Sequence, residues 1–257
     1  AAVRNIVATA KKAPTGAKLM GIHLEGPFFA LKYKGAHLPE NIRTPDAQEF
    51  DRLYEAADGM VKIITMAPET ENGLATVRHI ANRGVTVSVG HSNATYDEAL
   101  AAFDAGATQT THTFNAMSPL NHRNLGVVGA AMLRSDITCE LICDFFHVHP
   151  DAVKLLLSIK GSDKITMITD SEVGTGLPDG EYLVNGRTLT VREQKTYTED
   201  GTIAGGTSVL LDGVKNLVSA GIPLCDAVKM AAKNGAVAAG IYDRVGSLSV
   251  GKDADIL

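Results

Sequence analysis

Short apolar runs alternate with amphipathic segments along most of this chain. Six of the runs are nearly continuous in apolar, often β-branched residues, which is typical of strands buried on both faces; they lie at 18–24, 61–66, 85–89, 109–111, 137–143 and 164–169. Several of the segments between them end at a glycine that can close a helix in the left-handed conformation, namely Gly84, Gly106 and Gly161. Repeated strand–helix units predict a parallel sheet covered by helices.

The amphipathic segments predict helices at 3–12, 45–57, 71–83, 96–105, 150–159, 209–220 and 225–239. We expect the second of these to begin at Thr44-Pro45-Asp46, which supplies a cap, a first-turn proline and an acidic residue.

The pattern changes after Asp170. Residues 174–205 are rich in Gly, Asp and Thr, and Asn185-Gly186 separates two alternating runs, which is a strong indication of a β-hairpin. We therefore predict a (β/α) barrel domain at residues 1–244, with a hairpin inserted at about 174–205 and a new extended segment at 245–257. Because a closed barrel of this kind has eight strands, two more are expected upstream, and we expect the sequence to be part of a longer chain.

Composition excludes several classes of protein. The formal net charge of the 257 residues is −5, and the 24 Lys and Arg form no basic run, which argues against nucleic-acid binding. No apolar run approaches the roughly 20 residues that cross a bilayer, and the N-terminal residues do not resemble a signal peptide. Three cysteines, an odd and sparse count, fit a reducing compartment. We expect a cytoplasmic protein with neither nucleic-acid nor membrane partners.

Four polar side chains follow predicted strands at the point where each strand ends: Glu25, His91, His112 and Asp170. One such residue alone is more often structural, for example a helix cap. Together they are informative, because the carboxyl ends of barrel strands meet at the one rim where active sites form. Two imidazoles and two carboxylates there could hold a divalent metal with an open position, polarise a carbonyl and provide a general base.

Around these residues the chain resembles the N-acetylglucosamine-6-phosphate deacetylase family of the amidohydrolase superfamily. The resemblance covers nearly the whole chain, in order. It rests on His23-Leu24-Glu25-Gly26-Pro27, Lys34-Gly35-Ala36-His37, Gly90-His91-Ser92-Asn93-Ala94, Thr111-His112-Thr113-Phe114-Asn115-Ala116-Met117, Asp144-Phe145-Phe146-His147 and Thr169-Asp170.

The resemblance implies a metal-dependent (β/α)8 TIM-like barrel, here truncated to strands three to eight, with 245–257 as the remnant of a small β-sandwich domain. It implies hydrolysis of N-acetylglucosamine 6-phosphate to glucosamine 6-phosphate and acetate by a homodimer. Glu25, His91 and His112 would hold one or two divalent ions, zinc or iron, and Asp170 would be the catalytic acid/base. The family's substrate contacts fall on Ala36, His37, Asn115, Ala116, Arg123, Asp144, Phe145, Phe146, His147, Ile203, Ala204 and Gly205.

Physical reasons support some of these roles. The Arg123 guanidinium can hold a phosphate through two parallel hydrogen bonds, and in the family this arginine reaches the neighbouring subunit's site. His37 and His147 can donate hydrogen bonds to the substrate. The chain departs from many family members at Ser171-Glu172, directly after the catalytic aspartate. We expect the Glu172 carboxylate to point away from the site.

Two other functions remain open on sequence grounds. One is a different amidohydrolase on the same barrel, because a fold does not determine the substrate. His37, Arg123 and His147 argue against it, since an enzyme acting on cyclic amides needs no phosphate clamp. The other is a non-catalytic phosphosugar-binding barrel, which would be expected to lack the metal ligands or Asp170.

Overall fold

The computed structural model describes residues 2–12, 15–184 and 186–256. Six strands form one sheet in the order β1-β2-β3-β4-β5-β6, with every neighbouring pair parallel. The strands are β1 (Ile22–Glu25), β2 (Val61–Met66), β3 (Thr86–Val89), β4 (Ala107–Thr110), β5 (Thr138–Ile142) and β6 (Ile165–Ile168). The predicted parallel sheet is thus confirmed as a six-stranded half-barrel.

Nine α-helices are present in the described part of the chain. They are α1 (Ala2–Lys11), α2 (Ala47–Ala56), α3 (Gly73–Asn82), α4 (Tyr96–Asp104), α5 (Gly126–Leu133), α6 (Pro150–Lys160), α7 (Leu210–Ser219), α8 (Leu224–Ala231) and α9 (Lys233–Ala238). The start predicted for α2 was wrong by two residues. Asp46, not Thr44, is the cap, and its carboxylate accepts a hydrogen bond from the Glu49 N–H at 2.5 Å.

Two helical predictions need correction. The sequence pattern missed α5, because seven of its eight residues are buried and it therefore lacks the polar face that gives a helix its period. The single helix predicted at 225–239 is two helices that meet at Ala232. Just after this break, the Asn234 side chain donates to the Ser162 and Ile165 carbonyls at 2.7 Å each, which fixes α9 to the start of β6.

The predicted hairpin is part of a three-stranded antiparallel sheet made of β7 (Gly180–Val184), β8 (Arg187–Arg192) and β9 (Lys195–Thr198). Asn185, in the predicted turn, lies outside the described residues, and Gly186 has a φ of 80°. The third strand was not predicted, because its sequence Lys-Thr-Tyr-Thr is short and largely polar. We call β7, β8 and β9 the small sheet.

The half-barrel encloses polar as well as apolar side chains. A chain of hydrogen bonds links β1, β2 and β3 with the residue that follows β4. His23 Nε2 lies 2.8 Å from Thr65 Oγ1, which lies 2.6 Å from Thr111 Oγ1, and Thr111 donates to Ser88 Oγ at 2.6 Å. The three hydroxyl groups belong to fully buried residues. Polar groups buried in this way bind one another because each would otherwise lose its hydrogen bonds to water.

The last described residues, 245–256, contain no strand, so the extended segment predicted here does not appear as one. They are held to the barrel domain by Asp253, whose carboxylate lies 2.8 Å from Arg244 and 3.2 Å from Lys18. Among the described helices, none has the length and apolar character needed to cross a membrane.

Candidate metal centre and substrate cavity

The carboxyl ends of the parallel strands open into a cavity of about 420 Å³. Its lining includes all four residues predicted to carry the chemistry: Glu25, His91, His112 and Asp170. A more open groove of about 630 Å³ lies beside it against α1 and α2 and shares Glu25 and His37, but it lacks both metal-site histidines and Asp170. The smaller cavity is therefore the candidate site.

Three ligand atoms converge at one point of this cavity. His91 Nε2 lies 2.8 Å from Glu25 Oε1, His112 Nε2 lies 3.1 Å from the same oxygen, and the two Nε2 atoms are 3.1 Å apart. Zinc bonds to nitrogen and oxygen are about 2.0–2.2 Å long. Ligands held at that length in tetrahedral or octahedral geometry are separated from one another by roughly the distances seen here, so the three residues fit a divalent ion.

The outer nitrogens of both imidazoles support this fit. His91 Nδ1 lies 2.7 Å from the Tyr33 carbonyl oxygen, and His112 Nδ1 lies 3.1 Å from that of Asn115. A carbonyl can only accept, so each Nδ1 must carry the proton, and each Nε2 can present its lone pair to a metal. Phe29 also stacks on the His91 ring, with ring centroids 4.2 Å apart, and so holds its orientation.

The ionisation of the cluster reflects the competition between burial and mutual attraction. Burial opposes the charge on Glu25, but hydrogen bonds from the surrounding histidines outweigh it, and the Glu25 pKa is well below its usual value. Burial also opposes the charge on His112, but the adjacent Glu25 carboxylate raises the His112 pKa to about 9. Burial lowers the pKa of His91, against the pull of Glu25. The Glu25 carboxylate thus favours a positive charge at this point of the cavity.

Asp170 faces this cluster from the end of β6. Burial raises the pKa of Asp170 above its usual value, and the negative charge of Glu25 raises it further. The backbone of Asp170 is fixed by the glycine-rich loop that follows the small sheet, because the Gly206 N–H donates to its carbonyl at 2.7 Å. A Cβ on Gly206 would come within 2.4 Å of the Thr169 carbonyl oxygen, so only glycine can approach so closely. Glu172, expected to point away, also lines the cavity, although it is exposed.

Three of the four residues predicted to carry the chemistry adopt a left-handed backbone conformation without being glycine: His91 (φ 49°), His112 (φ 32°) and Asp170 (φ 50°). Each lies two residues after the end of a strand. Such conformations cluster at active sites, where the surrounding structure enforces them.

The cavity brings together most of the residues predicted to contact substrate. In addition to the four above, its lining includes Ala36, His37, Asn115, Ala116, His147, Ile203 and Gly205. Arg123, Asp144, Phe145, Phe146 and Ala204 are outside the cavity lining. Arg123 is exposed on a loop, where its backbone N–H donates to Asn121 Oδ1 at 3.1 Å.

Asp144 instead orients His147. Its Oδ1 accepts the Phe146 and His147 N–H groups, both at 2.9 Å, and its Oδ2 lies 2.6 Å from His147 Nδ1. These contacts lower the pKa of Asp144, against the effect of its burial. With Nδ1 committed to a carboxylate, His147 presents Nε2 to the cavity.

Sequence reasoning missed several residues of the site. Lys32, Tyr33, Arg187 and Thr202 also line the cavity, and nothing in the spacing of the motifs indicates them. Outside the cavity lining, Glu140 of β5 was missed as well. It is only 2% exposed, its Oε1 accepts from Gln109 Nε2 at 2.6 Å, and burial raises its pKa to about 8. Its position, third in an apolar strand, was the available clue.

Comparison with known proteins places this geometry in a family. The amidohydrolase family model matches residues 2–257. The chain is 41% identical to an N-acetylglucosamine-6-phosphate deacetylase of Bacillus subtilis (strain 168), over 94% of the chain and 61% of that relative. It is 36% identical to an N-acetylgalactosamine-6-phosphate deacetylase of Escherichia coli O157:H7, over 100% of the chain and 68% of that relative. The chain therefore spans about three fifths to two thirds of the length of these relatives.

A solved structure has a similar fold. A mutant N-acetyl-D-glucosamine-6-phosphate deacetylase from Mycobacterium smegmatis, in complex with N-acetyl-D-glucosamine-6-phosphate, has a TM-score of 0.91 and 36% sequence identity with this chain, covering 98% of it and 67% of that chain. The metal-binding geometry at the strand ends, the family match over nearly every residue and these similarities lead to one conclusion. The chain belongs to the amidohydrolase family and is similar to its deacetylases of N-acetylated amino-sugar 6-phosphates.

Proposed function

We propose that this protein hydrolyses the acetamide of N-acetyl-D-glucosamine 6-phosphate and releases glucosamine 6-phosphate and acetate. The observation that carries the proposal is the convergence of Glu25, His91 and His112 within 3.1 Å of one another, with Asp170 in the same cavity. The similar deacetylases support the substrate class.

Glu25, His91 and His112 would hold a divalent ion, which we propose to be zinc or iron, since two imidazoles and one carboxylate suit either. When bound, the ion supplies Lewis-acid chemistry that polarises the acetamide carbonyl and makes water a better nucleophile. The Nδ1–H groups of the two histidines, held by backbone carbonyls, keep both rings in the ligating tautomer.

Asp170 would act as the general base and then as the general acid of the reaction. A carboxylate at this position can accept a proton from water as it attacks the acetyl carbon and then donate that proton to the departing amine nitrogen. Without the second step the amine would have to leave as an unstable anion. Burial raises the pKa of Asp170, and a weaker acid is a stronger base in the first step.

The remaining cavity residues would orient the sugar. His147 Nδ1 faces the Asp144 carboxylate and must carry the ring proton, so Nε2 of the neutral ring can accept a hydrogen bond from a sugar hydroxyl. His37, whose Nε2 lies 3.9 Å from Glu25, can donate to the acetamide or to sugar hydroxyls. Arg123 would act from a neighbouring subunit, since it lies outside the cavity of its own chain, and this implies a homodimer. We place the protein in the cytoplasm, because the described cysteines, Cys139, Cys143 and Cys225, are all free.

The test is acetate release by protein loaded with zinc or iron. We expect turnover of N-acetylglucosamine 6-phosphate and much weaker turnover of N-acetylglucosamine. Absence of acetate release with either metal, in protein shown to bind one ion at the cluster, would contradict the proposal.

A second substrate is favoured by one specific finding, the 36% identity to an N-acetylgalactosamine-6-phosphate deacetylase over the whole chain. The two sugars differ only in the configuration at C4, which leaves the acetamide and the phosphate unchanged. The ratio of kcat/KM for the two epimers measures the preference, and we expect it to favour N-acetylglucosamine 6-phosphate.

A further inference from the structure

Arg187 occupies the cavity although no motif of the sequence indicated it. It is the first residue of β8 in the small sheet, and its side chain is half-buried in the cavity lining. A guanidinium N–H of Arg187 donates to the carbonyl oxygen of Ala36, on the loop that follows β1. The contact spans 151 positions of sequence and brings the small sheet to the rim of the barrel.

Arg187 also lines a neighbouring pocket with Glu199 and Asp200, but it forms no ion pair with a carboxylate of the described residues. Four other arginines, namely Arg43, Arg83, Arg134 and Arg244, form ion pairs with Asp or Glu. Within the described part of the chain, Arg187 forms none. A guanidinium has five N–H donors in a planar fork. The bond to a neutral carbonyl leaves most of that fork available to an anion.

The position of this cation suits one end of the proposed substrate. The acetamide on C2 of an amino-sugar 6-phosphate must lie at the Glu25–His91–His112 cluster, and the phosphate on C6 lies across the sugar ring from it. Arg187 enters the cavity from the small sheet, whereas the cluster lies at the ends of β1, β3 and β4. Among the described residues that line this cavity, Arg187 supplies the only guanidinium and Lys32 the only ammonium group.

We propose that Arg187 binds the substrate phosphate from within the same chain and thereby contributes to the preference for phosphorylated over unphosphorylated amino sugars. The inference rests on the proposed function for the identity of the substrate. Its physical basis is the planar fork of the guanidinium, which matches two phosphate oxygens. Arg187 is thus a second phosphate contact, distinct from the intersubunit role proposed for Arg123.

The competing explanation is that Arg187 only fastens the small sheet to the rim. The small sheet has independent contacts with the barrel, since Lys195 Nζ lies 4.4 Å from the centre of the Phe146 ring and Tyr197 packs against the same ring. Loss of Arg187 should therefore leave the sheet in place. A fastening role would also affect phosphorylated and unphosphorylated sugars equally, which a phosphate contact does not.

The experiment compares Arg187→Gln and Arg187→Lys with Arg192→Gln in the metal-loaded protein. Arg192 is a matched control, because it lies on the same strand, is exposed and contacts Tyr197 outside the cavity. We expect Arg187→Gln to raise KM for N-acetylglucosamine 6-phosphate by about ten- to a hundredfold, with kcat changed little. Arg187→Lys should show an intermediate rise, since it keeps the charge and one donor but loses the fork. KM for N-acetylglucosamine should not change.

Binding of inorganic phosphate, measured by calorimetry, tests the role of Arg187 independently of whether the protein releases acetate. If wild-type protein releases no acetate, the proposed function has failed, and weaker phosphate binding in Arg187→Gln than in Arg192→Gln still supports the role of Arg187. Equal effects of Arg187→Gln on both sugars, an unchanged KM for the phosphorylated sugar, or equal phosphate binding by the two glutamine variants would each overturn the inference. Arg187→Lys guards against misfolding, because it retains a donor for Ala36.

Discussion

His91 and His112 hold their Nε2 atoms 3.1 Å apart, each within 3.1 Å of Glu25 Oε1. Since both Nδ1 atoms bind carbonyl oxygens, two imidazole lone pairs and a carboxylate are directed at one point. Such an arrangement is repulsive unless a cation or an added proton occupies the centre. The relationship between these two histidines therefore determines how the protein should respond to metal and to pH.

Removal of either histidine should remove the metal. We expect His91→Ala and His112→Ala to weaken divalent-ion binding by more than about a hundredfold, beyond the 10–100-fold cost of losing only a hydrogen-bond partner of a ligand, and to abolish turnover. His122→Ala is a suitable control, because that side chain is exposed and outside the cavity. Metal content by elemental analysis after dialysis measures the effect, and full occupancy in both cavity variants would refute the assignment.

Metal affinity should rise with pH. In the metal-free protein the adjacent Glu25 holds the pKa of His112 at about 9, despite burial, so below that pH an incoming ion must displace a proton. Apparent affinity should increase by up to tenfold per pH unit between about pH 6.5 and 9 and then level off. Chelator competition across this range gives the slope, and calorimetry in buffers of different ionisation enthalpy counts the proton released. A slope of zero would show that His112 is already neutral.

Asp170→Asn should reduce kcat by about 10²–10⁴-fold, the usual contribution of a positioned acid or base. Metal and substrate should still bind, because the substitution preserves shape and removes only basicity. The acidic limb of the rate profile should disappear, since in the wild type it reports deprotonation of the Asp170 carboxyl. The measurement is kcat against pH with metal content checked.

Glu172 is the rival carboxylate for this role, because it also lines the cavity. Glu172→Gln should change kcat only a few-fold and retain the acidic limb. If instead Asp170→Asn works at nearly the wild-type rate and Glu172→Gln does not, the base has been assigned to the wrong residue.

Arg123→Lys should raise KM for the phosphorylated sugar and leave the unphosphorylated sugar unaffected, since lysine cannot form the bidentate contact. The exposed position of Arg123 predicts that it acts across a subunit boundary. Mixing Arg123→Lys with an inactive Asp170→Asn chain should therefore yield hybrid dimers in which one site combines wild-type Arg123 and Asp170. No recovery of low-KM activity in the mixture would contradict a contribution in trans.

Glu140→Gln should alter the pH dependence of stability. Burial raises the pKa of Glu140 to about 8, whereas a glutamate in the unfolded chain ionises near pH 4.3. Between these values unfolding releases a proton, so the contribution of Glu140 to stability falls as pH rises. Relative to wild type, Glu140→Gln should gain about 1–4 kcal/mol between pH 5 and pH 8, since each pKa unit corresponds to about 1.4 kcal/mol. Urea unfolding of metal-free protein at several pH values tests this, with exposed Glu181→Gln as control.

The strands and the four chemical groups at their ends could be predicted because each depends on local information. A strand buried on both faces is a continuous apolar run, and a parallel sheet places its carboxyl ends at one rim. The same reasoning fails for α5, since Gly126–Leu133 is apolar on all sides and has no period to detect. It fails for β9, whose polar residues form a strand only because β8 lies beside them.

The cavity also contains residues whose role depends on distant contacts. Arg187 faces the site only because the small sheet folds back towards Ala36. Asp144 matches a family motif, yet its task in the structure is to hold His147 through three hydrogen bonds. No spacing rule separates a residue that touches substrate from one that orients its neighbour.

The left-handed backbone conformations of His91, His112 and Asp170 limit which substitutions can stabilise this protein without loss of activity. Each non-glycine residue in that region costs roughly 1–3 kcal/mol of stability, and glycine would relieve the strain while abolishing the chemistry. A population of variants screened only for foldedness should therefore lose these side chains at an appreciable rate, as expected where activity and stability are in conflict. Thermostabilisation of this chain is safest at positions away from the rim, with catalytic turnover retained as a criterion in every round of screening.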